Sequence, residues 1–173
     1  MKALKFLFLL IFVSCSSSKV VVDYDDKTDF SIFKTFDFYE DNGESLNDFD
    51  INRISDAILQ NLKTVGLQQD IKPDFFIYFD AKISEKQNNN TIGIGIGSAS
   101  RNGGIGVSGG IPIGGEKLIE DISIRFIAAT SNELFWEGSL SSSIKKKRTP
   151  EKRKLYITEV IAEILQNYPP KNK

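Results

Sequence analysis

The residue types that perform most protein chemistry are nearly absent from this chain. Its 173 residues include no histidine and a single cysteine, Cys15. Histidine is the commonest general base and metal ligand, and one cysteine allows no disulfide within the chain. Nucleophilic catalysis would therefore need Lys, Asp or Glu as its base, and no Ser-x-x-Lys context stands out. The composition indicates neither a bound metal nor a cofactor.

Carboxylates are the remaining groups for acid–base chemistry. Asp74, Asp80 and Glu120 are the acids that a hydrolase acting on a glycan or a lipid would use. That reaction needs two carboxyl groups facing each other. Glu120 and Asp121 are adjacent on a predicted strand, so their side chains point to opposite faces and form no such pair. The sequence therefore favours a protein that is not an enzyme.

Seven basic residues lie within ten positions near the end of the chain. They are Lys145, Lys146, Lys147, Arg148, Lys152, Arg153 and Lys154. One interpretation is a patch for an anionic partner, such as anionic lipid, lipopolysaccharide or a cell-wall polymer. The other is a solubilising strand end that continues into the first turn of a helix, where basic residues are mildly unfavourable. Both interpretations are kept.

The overall charge argues against a nucleic-acid partner. The chain carries 22 Lys and Arg and 23 Asp and Glu, a net charge of −1. Removal of residues 1–14, which contain Lys2 and Lys5, would leave 20 bases and a net charge of −3. A near-neutral, slightly acidic chain gives no electrostatic reason to expect nucleic-acid binding.

The start of the chain resembles a bacterial lipoprotein signal. A positive start precedes an apolar run at residues 6–13, which is too short to span a bilayer. Residues 12–15, Phe-Val-Ser-Cys, resemble the lipobox, whose cysteine is lipidated and becomes the first mature residue; Phe12 departs from the usual Leu. We therefore expect residues 1–14 to be a signal peptide and residues 15–19 to be the lipidated Cys15 and its tether.

The residues after the cysteine bear on location. Ser16 resembles the outer-membrane sorting pattern rather than the Asp that often retains lipoproteins at the inner membrane. No acidic run follows Cys15, and such runs resemble surface-export signals in some Gram-negative groups. Each buried methylene of the acyl chains contributes about 0.8 kcal/mol, so the attachment would be effectively permanent. We expect a lipid anchor in the outer membrane, with the protein facing the periplasm.

Hydrophobic patterning predicts a single α+β domain over residues 20–170. Strands are expected at 20–24, 33–38, 74–83, 117–128 and 134–144, with helices after residue 47 and after Thr149. The order β-β-α-β-(Gly-rich arm)-β-β-α predicts a two-layer sandwich, a mostly antiparallel β-sheet with two helices packed on one face. Trp136, the only tryptophan, is interpreted as a core anchor.

Residues 91–115 form a glycine-rich arm that holds ten of the thirteen glycines. Ile and Gly alternate on both sides of Asn102-Gly103, a pattern typical of a hairpin with one apolar face. A GxGxxG match at 104–109 is rejected, because no helix follows it and no βαβ unit contains it. One interpretation of the arm is a flexible insertion, and the other is an apolar flap that pairs with a partner strand or rests on the membrane.

Several landmarks together resemble a family of bacterial envelope lipoproteins defined by a domain of unknown function, DUF4136. They include Asp23-Tyr24-Asp25, Phe33-Lys34-Thr35-Phe36, Val65-Gly66-Leu67, Lys72-Pro73-Asp74-Phe75, Leu134-Phe135-Trp136-Glu137-Gly138 and Asn167-Tyr168-Pro169-Pro170. Glu137 departs from the basic residue expected between the Trp and the Gly. The resemblance implies a lipid anchor and the α+β fold described above, and it implies no activity.

Three functions follow as hypotheses. The first is a lipid-anchored periplasmic lipoprotein that acts as a non-catalytic binding or structural module for an envelope protein, lipopolysaccharide or a cell-wall polymer. The second is a carboxylate hydrolase acting on an envelope glycan or lipid. The third is a self-assembling module that pairs through the glycine-rich arm.

Overall fold

The computed structural model describes residues 19–86, 91–95, 108–112 and 117–170. Its strands are β1 Lys19–Tyr24, β2 Thr35–Phe38, β3 Gln68–Gln69, β4 Phe75–Lys86, β5 Thr91–Gly95, β6 Ser108–Pro112, β7 Lys117–Ala128 and β8 Leu134–Ile144. Its helices are α1 Asp48–Thr64 and α2 Pro150–Leu165, and a 3₁₀ turn spans Phe30–Ile32. The predicted strands and helices are confirmed, whereas β3 and the 3₁₀ turn were not predicted.

Local sequence signals fix the ends of both helices. The Asn47 side chain caps α1 by accepting a hydrogen bond from the Asp50 backbone N–H. Gly66 lies just beyond the end of α1 with φ 87°, in the left-handed region that glycine tolerates best. Thr149 caps α2 by accepting from the Lys152 N–H, and Pro150 occupies the first turn, as the sequence predicts.

The main sheet has six strands in the order β1-β8-β7-β4-β2-β3. Three of its five pairings are antiparallel, and the β4–β2 and β2–β3 pairings are parallel. The parallel pairs arise because α1 carries the chain back between β2 and β4, so that both strands run in the same direction. The α+β sandwich is confirmed, and the sheet is mixed.

The core lies between one face of this sheet and the two helices. Phe75, Ile77, Phe79 and Ala81 of β4 are buried on that face, as their alternation predicts. Ile83 was expected to join them but is 52% exposed. The chain after β2 bonds to β4 only as far as Asp80, so no strand among the described residues lies along the edge of β4 beside Ile83.

Trp136 is a core anchor, as predicted. Its side chain is fully buried, and its ring lies 4.7 Å from the Phe126 ring and 5.5 Å from the Tyr168 ring. Burial also raises the pKa of the Tyr168 hydroxyl. The packed rings and aliphatic side chains fill the interface between the sheet and α2.

The described part of the glycine-rich arm is a separate two-stranded sheet. β5 and β6 pair antiparallel, with Ile92 opposite Ile111 and Gly93 opposite Gly110. This pairing confirms the predicted hairpin for these ten residues. The Asn102-Gly103 step lies outside the described residues, as does Cys15.

Candidate functional site

Three charged side chains meet inside the sandwich and form what we call the Arg153 cluster: Asp50, Glu120 and Arg153. Asp50 comes from the first turn of α1, Glu120 from β7 and Arg153 from the first turn of α2. Arg153 donates from Nη1 and Nη2 to the two Glu120 carboxylate oxygens at 2.5 and 2.6 Å, and from Nε to Asp50 Oδ2 at 2.9 Å. Glu120 is fully buried, and the other two side chains are nearly so.

Further cationic and aromatic groups surround the cluster. Arg53 donates to Asp50 Oδ1 at 2.6 Å, and Arg148 Nη1 lies 3.5 Å from Glu120 Oε2. The guanidinium groups of Arg148 and Arg153 lie 5.3 and 5.5 Å from the centre of the Tyr156 ring. Cation–π contact of this kind is favourable where water is excluded.

The charges of the cluster stabilise one another. Burial works against ionisation of Asp50, but hydrogen bonds from Arg153 and Arg53 outweigh it and hold the pKa of the Asp50 carboxyl below its usual value. Burial likewise opposes the charge on Arg153, and the hydrogen bonds to Glu120 and Asp50 raise its pKa above the usual value. Both carboxylate oxygens of Glu120 accept hydrogen bonds from the Arg153 guanidinium, so the cluster ties β7 to the first turn of α2.

The three carboxylates that the hydrolase hypothesis would use lie apart in the structure. Asp74 lies at the start of β4 and accepts from the backbone N–H groups of Lys34 and Thr35 at 2.7 and 2.9 Å. Asp80 accepts from the Ser45 N–H and hydroxyl at 3.3 Å on the uncovered face of the sheet. Glu120 lies on the covered face, with Asp121 on the opposite face beside Ser141, as the alternation predicts.

An open depression of about 590 Å³ lies beside the 3₁₀ turn. Asp26, Asp29, Lys34, Gly66 and Pro169 are among its lining residues. The Ser31 side chain and backbone N–H bond to Asp29 and lower the pKa of its carboxyl, which therefore stays ionised at neutral pH. An ionised carboxylate held by a local turn, with no second carboxyl bonded to it among the described residues, does not form an acid–base pair.

The predicted basic patch is divided by the fold. Lys145, Lys146, Lys147, Lys152 and Lys154 are exposed, and Arg148 is half-buried. Arg153 was assigned to the same patch, and that assignment is wrong because its side chain is buried against Glu120 and Asp50. Asp50 was missed altogether by the sequence analysis.

The positions of these three residues along their helices and strand indicate that their side chains are buried. Asp50 lies four residues before Ile54, and Arg153 four residues before Ile157, so each falls on the buried stripe of its helix. Glu120 falls in phase with Ile122 on the covered face of β7. A charge at three core positions indicates that the charges pair with one another.

The exposed lysines of residues 145–154 lie at one end of the main sheet, where β1 and β7 begin and β4 and β8 end. We call this end of the sheet the basic end. Lys19 pairs with Ser141, Lys86 with Lys117, and Leu118 with Ile144, the residue before the lysine run. A shallow groove of about 360 Å³ at this end is lined by residues that include Phe49, Arg53, Lys146, Arg148 and Pro150. The first turns of both helices therefore lie beside the lysines.

Among the residues that the structure describes, neither α-helix has the length and hydropathy needed to cross a membrane. The described side chains also include no group of three or more acidic or thiol residues arranged to hold a metal ion. The site-forming features of the described chain are thus the closed Arg153 cluster and the open basic end.

This arrangement defines an α+β sandwich with one covered sheet face and no paired catalytic acids among the described residues. The sequence model of the family described as "Domain of unknown function (DUF4136)" matches residues 20–170. The chain belongs to this family, as the resemblance of its landmarks indicates. None of the curated proteins searched matches the chain.

The solved structures with a similar fold include proteins from three bacteria. A PDZ domain protein from Parabacteroides distasonis is similar with TM-score 0.61 and 17% identity over 90% of this chain, which spans 36% of that protein's length. A DUF4136 family protein from Bacteroides thetaiotaomicron is similar with TM-score 0.55 and 14% identity, over 88% of this chain and 96% of that one. The PelC dodecamer from Paraburkholderia phytofirmans is similar with TM-score 0.53 and 6% identity, over 90% of this chain and 100% of that one.

Proposed function

We propose that this chain is a lipoprotein anchored through Cys15 in a bacterial outer membrane, facing the periplasm, and that it is a non-catalytic binding module. The lipobox-like residues 12–15 and the short tether to Lys19 support the anchor. The lysines of the basic end support an anionic component of the envelope as the partner, such as lipopolysaccharide or a cell-wall polymer.

The closed Arg153 cluster is the observation that carries the non-catalytic part of the proposal. A hydrolase needs a carboxyl group that can reach its substrate and gain or lose a proton there. Glu120 is fully buried with both oxygens bonded to Arg153, while Asp74 and Asp80 accept hydrogen bonds at separate places on the sheet. The positions of these three acids therefore do not support a hydrolase.

Metabolic labelling with an alkyne fatty acid tests the anchor. We expect label on the wild-type chain and on Ser16→Ala, a matched change beside the cysteine, and no label on Cys15→Ala. Label missing from the wild type, or kept by Cys15→Ala, would contradict the anchor. Loss of label from Ser16→Ala alone would show that the tether residue, rather than the thiol, governs the modification, and would also count against it.

Self-assembly is a second function, and it rests on a different observation. The PelC protein that shares this fold is a dodecamer, and β5 and β6 form a sheet separate from the main one in this chain. An added strand edge is a common means of association between copies. Light scattering of detergent-solubilised wild type should then give an oligomer that deletion of residues 91–115 reduces to a monomer. An unchanged mass in both proteins would refute self-assembly through the arm.

A further inference from the structure

The start of β1 places Lys19, the first described residue after Cys15, at the same end of the main sheet as the lysine run. Lys19 pairs with Ser141, and β8 continues three residues further to Ile144 before Lys145. Because the two strands are antiparallel, the chain entering β1 and the chain leaving β8 meet at one end of the sheet. Cys15 precedes Lys19 by four residues, a span of at most about 14 Å when extended.

An exposed aromatic side chain lies at the same end. Phe49, in the first turn of α1, is 72% exposed, and the Arg53 guanidinium lies 5.9 Å from its ring centre. Phe49 lines the groove at the basic end together with Lys146 and Arg148. An apolar ring surrounded by cations is the combination that favours the headgroup region of an anionic membrane.

Charge is distributed unequally between the two ends of the sheet. At the basic end, residues 145–154 carry seven bases and one carboxylate, Glu151; Arg153 is buried against Asp50 and Glu120, and the exposed bases of this run are its five lysines. At the opposite end, residues 23–29 carry four aspartates and one lysine. An anionic surface therefore attracts the first end and repels the second.

We propose that the basic end lies flat on the membrane that holds the anchor, with the exposed lysines against anionic phospholipid headgroups and Phe49 in the interface. This orientation rests on the proposed anchor at Cys15, and it makes the anionic headgroups of that membrane the partner of the lysines, in place of lipopolysaccharide or a cell-wall polymer. The opposite end, with its acidic residues and Ile71, then faces away from the bilayer.

The single cysteine makes this orientation measurable. In an acylated chain, Phe49→Cys and Ile71→Cys each introduce one free thiol for a fluorophore, at side chains that are 72% and 90% exposed. The acylated proteins are reconstituted in vesicles of phosphatidylcholine and phosphatidylglycerol that contain a brominated lipid as quencher. We expect quenching at position 49 and almost none at position 71.

Two sets of lysine changes separate the electrostatic contact from the anchor. A triple variant should weaken binding of the basic end to the membrane roughly 100-fold and abolish quenching at position 49. Its changes are Lys145→Gln, Lys147→Gln and Lys152→Gln. A matched triple variant at the acidic end should leave the quenching at position 49 unchanged. Its changes are Lys27→Gln, Lys34→Gln and Lys72→Gln. Quenching at position 49 should also disappear in vesicles of phosphatidylcholine alone.

The outcomes distinguish the orientation from the anchor. Equal quenching at positions 49 and 71 in an acylated chain would overturn the orientation and leave the anchor intact. Quenching at position 49 that is the same with and without phosphatidylglycerol would do so too. Fluorophore attached to wild-type Cys15 would show that the thiol is free, which would overturn the anchor and the orientation together.

Discussion

Removal of the Arg153 guanidinium should destabilise the protein far more than removal of an exposed one. In Arg153→Met, Glu120 stays fully buried without its two hydrogen bonds and keeps only Arg148 at 3.5 Å, while Asp50 keeps only Arg53 at 2.6 Å. Removing one partner of a buried, hydrogen-bonded ion pair costs about 3–5 kcal/mol. We therefore expect the free energy of unfolding to fall by about that amount.

The chain supplies a matched control and a rescue. Arg125 pairs with Glu137 at 3.2 Å on the surface, with side chains 45% and 32% exposed, so Arg125→Met should cost less than about 1 kcal/mol. Adding Glu120→Met to Arg153→Met removes the orphaned carboxylate and should restore most of the lost stability, because well-packed apolar side chains often replace a buried ion pair without loss.

Urea unfolding followed by the fluorescence of Trp136 measures these differences. Trp136 is the only tryptophan and is fully buried against the rings of Phe126 in β7 and Tyr168 just after α2, so its emission reports loss of this packing. An Arg153→Met loss no larger than that of Arg125→Met would refute the burial argument. A double variant as unstable as the single one would refute the claim that the orphaned carboxylate causes the loss.

Two further changes probe the sheet. Asp74→Asn should lower the free energy of unfolding by about 1–2 kcal/mol near neutral pH, because the carboxylate accepts the Lys34 N–H at 2.7 Å. That hydrogen bond lowers the pKa of Asp74 in the folded protein. The contribution of Asp74 to the free energy of unfolding is therefore present above the ordinary carboxyl pKa and disappears as the pH falls through the pKa of the folded protein. The unfolding curves of the wild type and Asp74→Asn should then converge in acid. A difference that persists in acid would contradict this reasoning. Gly138→Ala should cost about 1–3 kcal/mol and alter tryptophan emission, because the new Cβ would lie 2.5 Å from Trp136 and 2.6 Å from Ile164; an unchanged urea midpoint would contradict the packing.

Most of the secondary structure follows from local patterns in the sequence. The period-two alternation of β4 and β7, the Thr149-Pro150 helix start and the Gly66 helix end each depend on neighbouring residues alone. The two-residue β3 carries no such pattern, since both of its glutamines are exposed and it exists only by pairing with β2. The parallel pairing of β2 and β4 likewise follows from the path of α1 rather than from their composition.

The pairing of charges in the Arg153 cluster cannot be predicted from local sequence patterns. Its three residues are far apart in the chain, and only the packing of α1, α2 and β7 brings them within hydrogen-bond distance. Their core-phase positions indicated burial, but which charge meets which depends on tertiary structure. The same holds for the basic end, because the register of β1 on β8 is what places Lys19 at the same end of the sheet as the lysine run.

Mass spectrometry of the mature amino-terminal peptide tests the central claim most directly. We expect the mature chain to begin at Cys15 and to carry a diacylglyceryl group on its sulfur and an acyl chain on its amine. A peptide that begins at another residue, or one in which Cys15 bears an unmodified thiol, would contradict it.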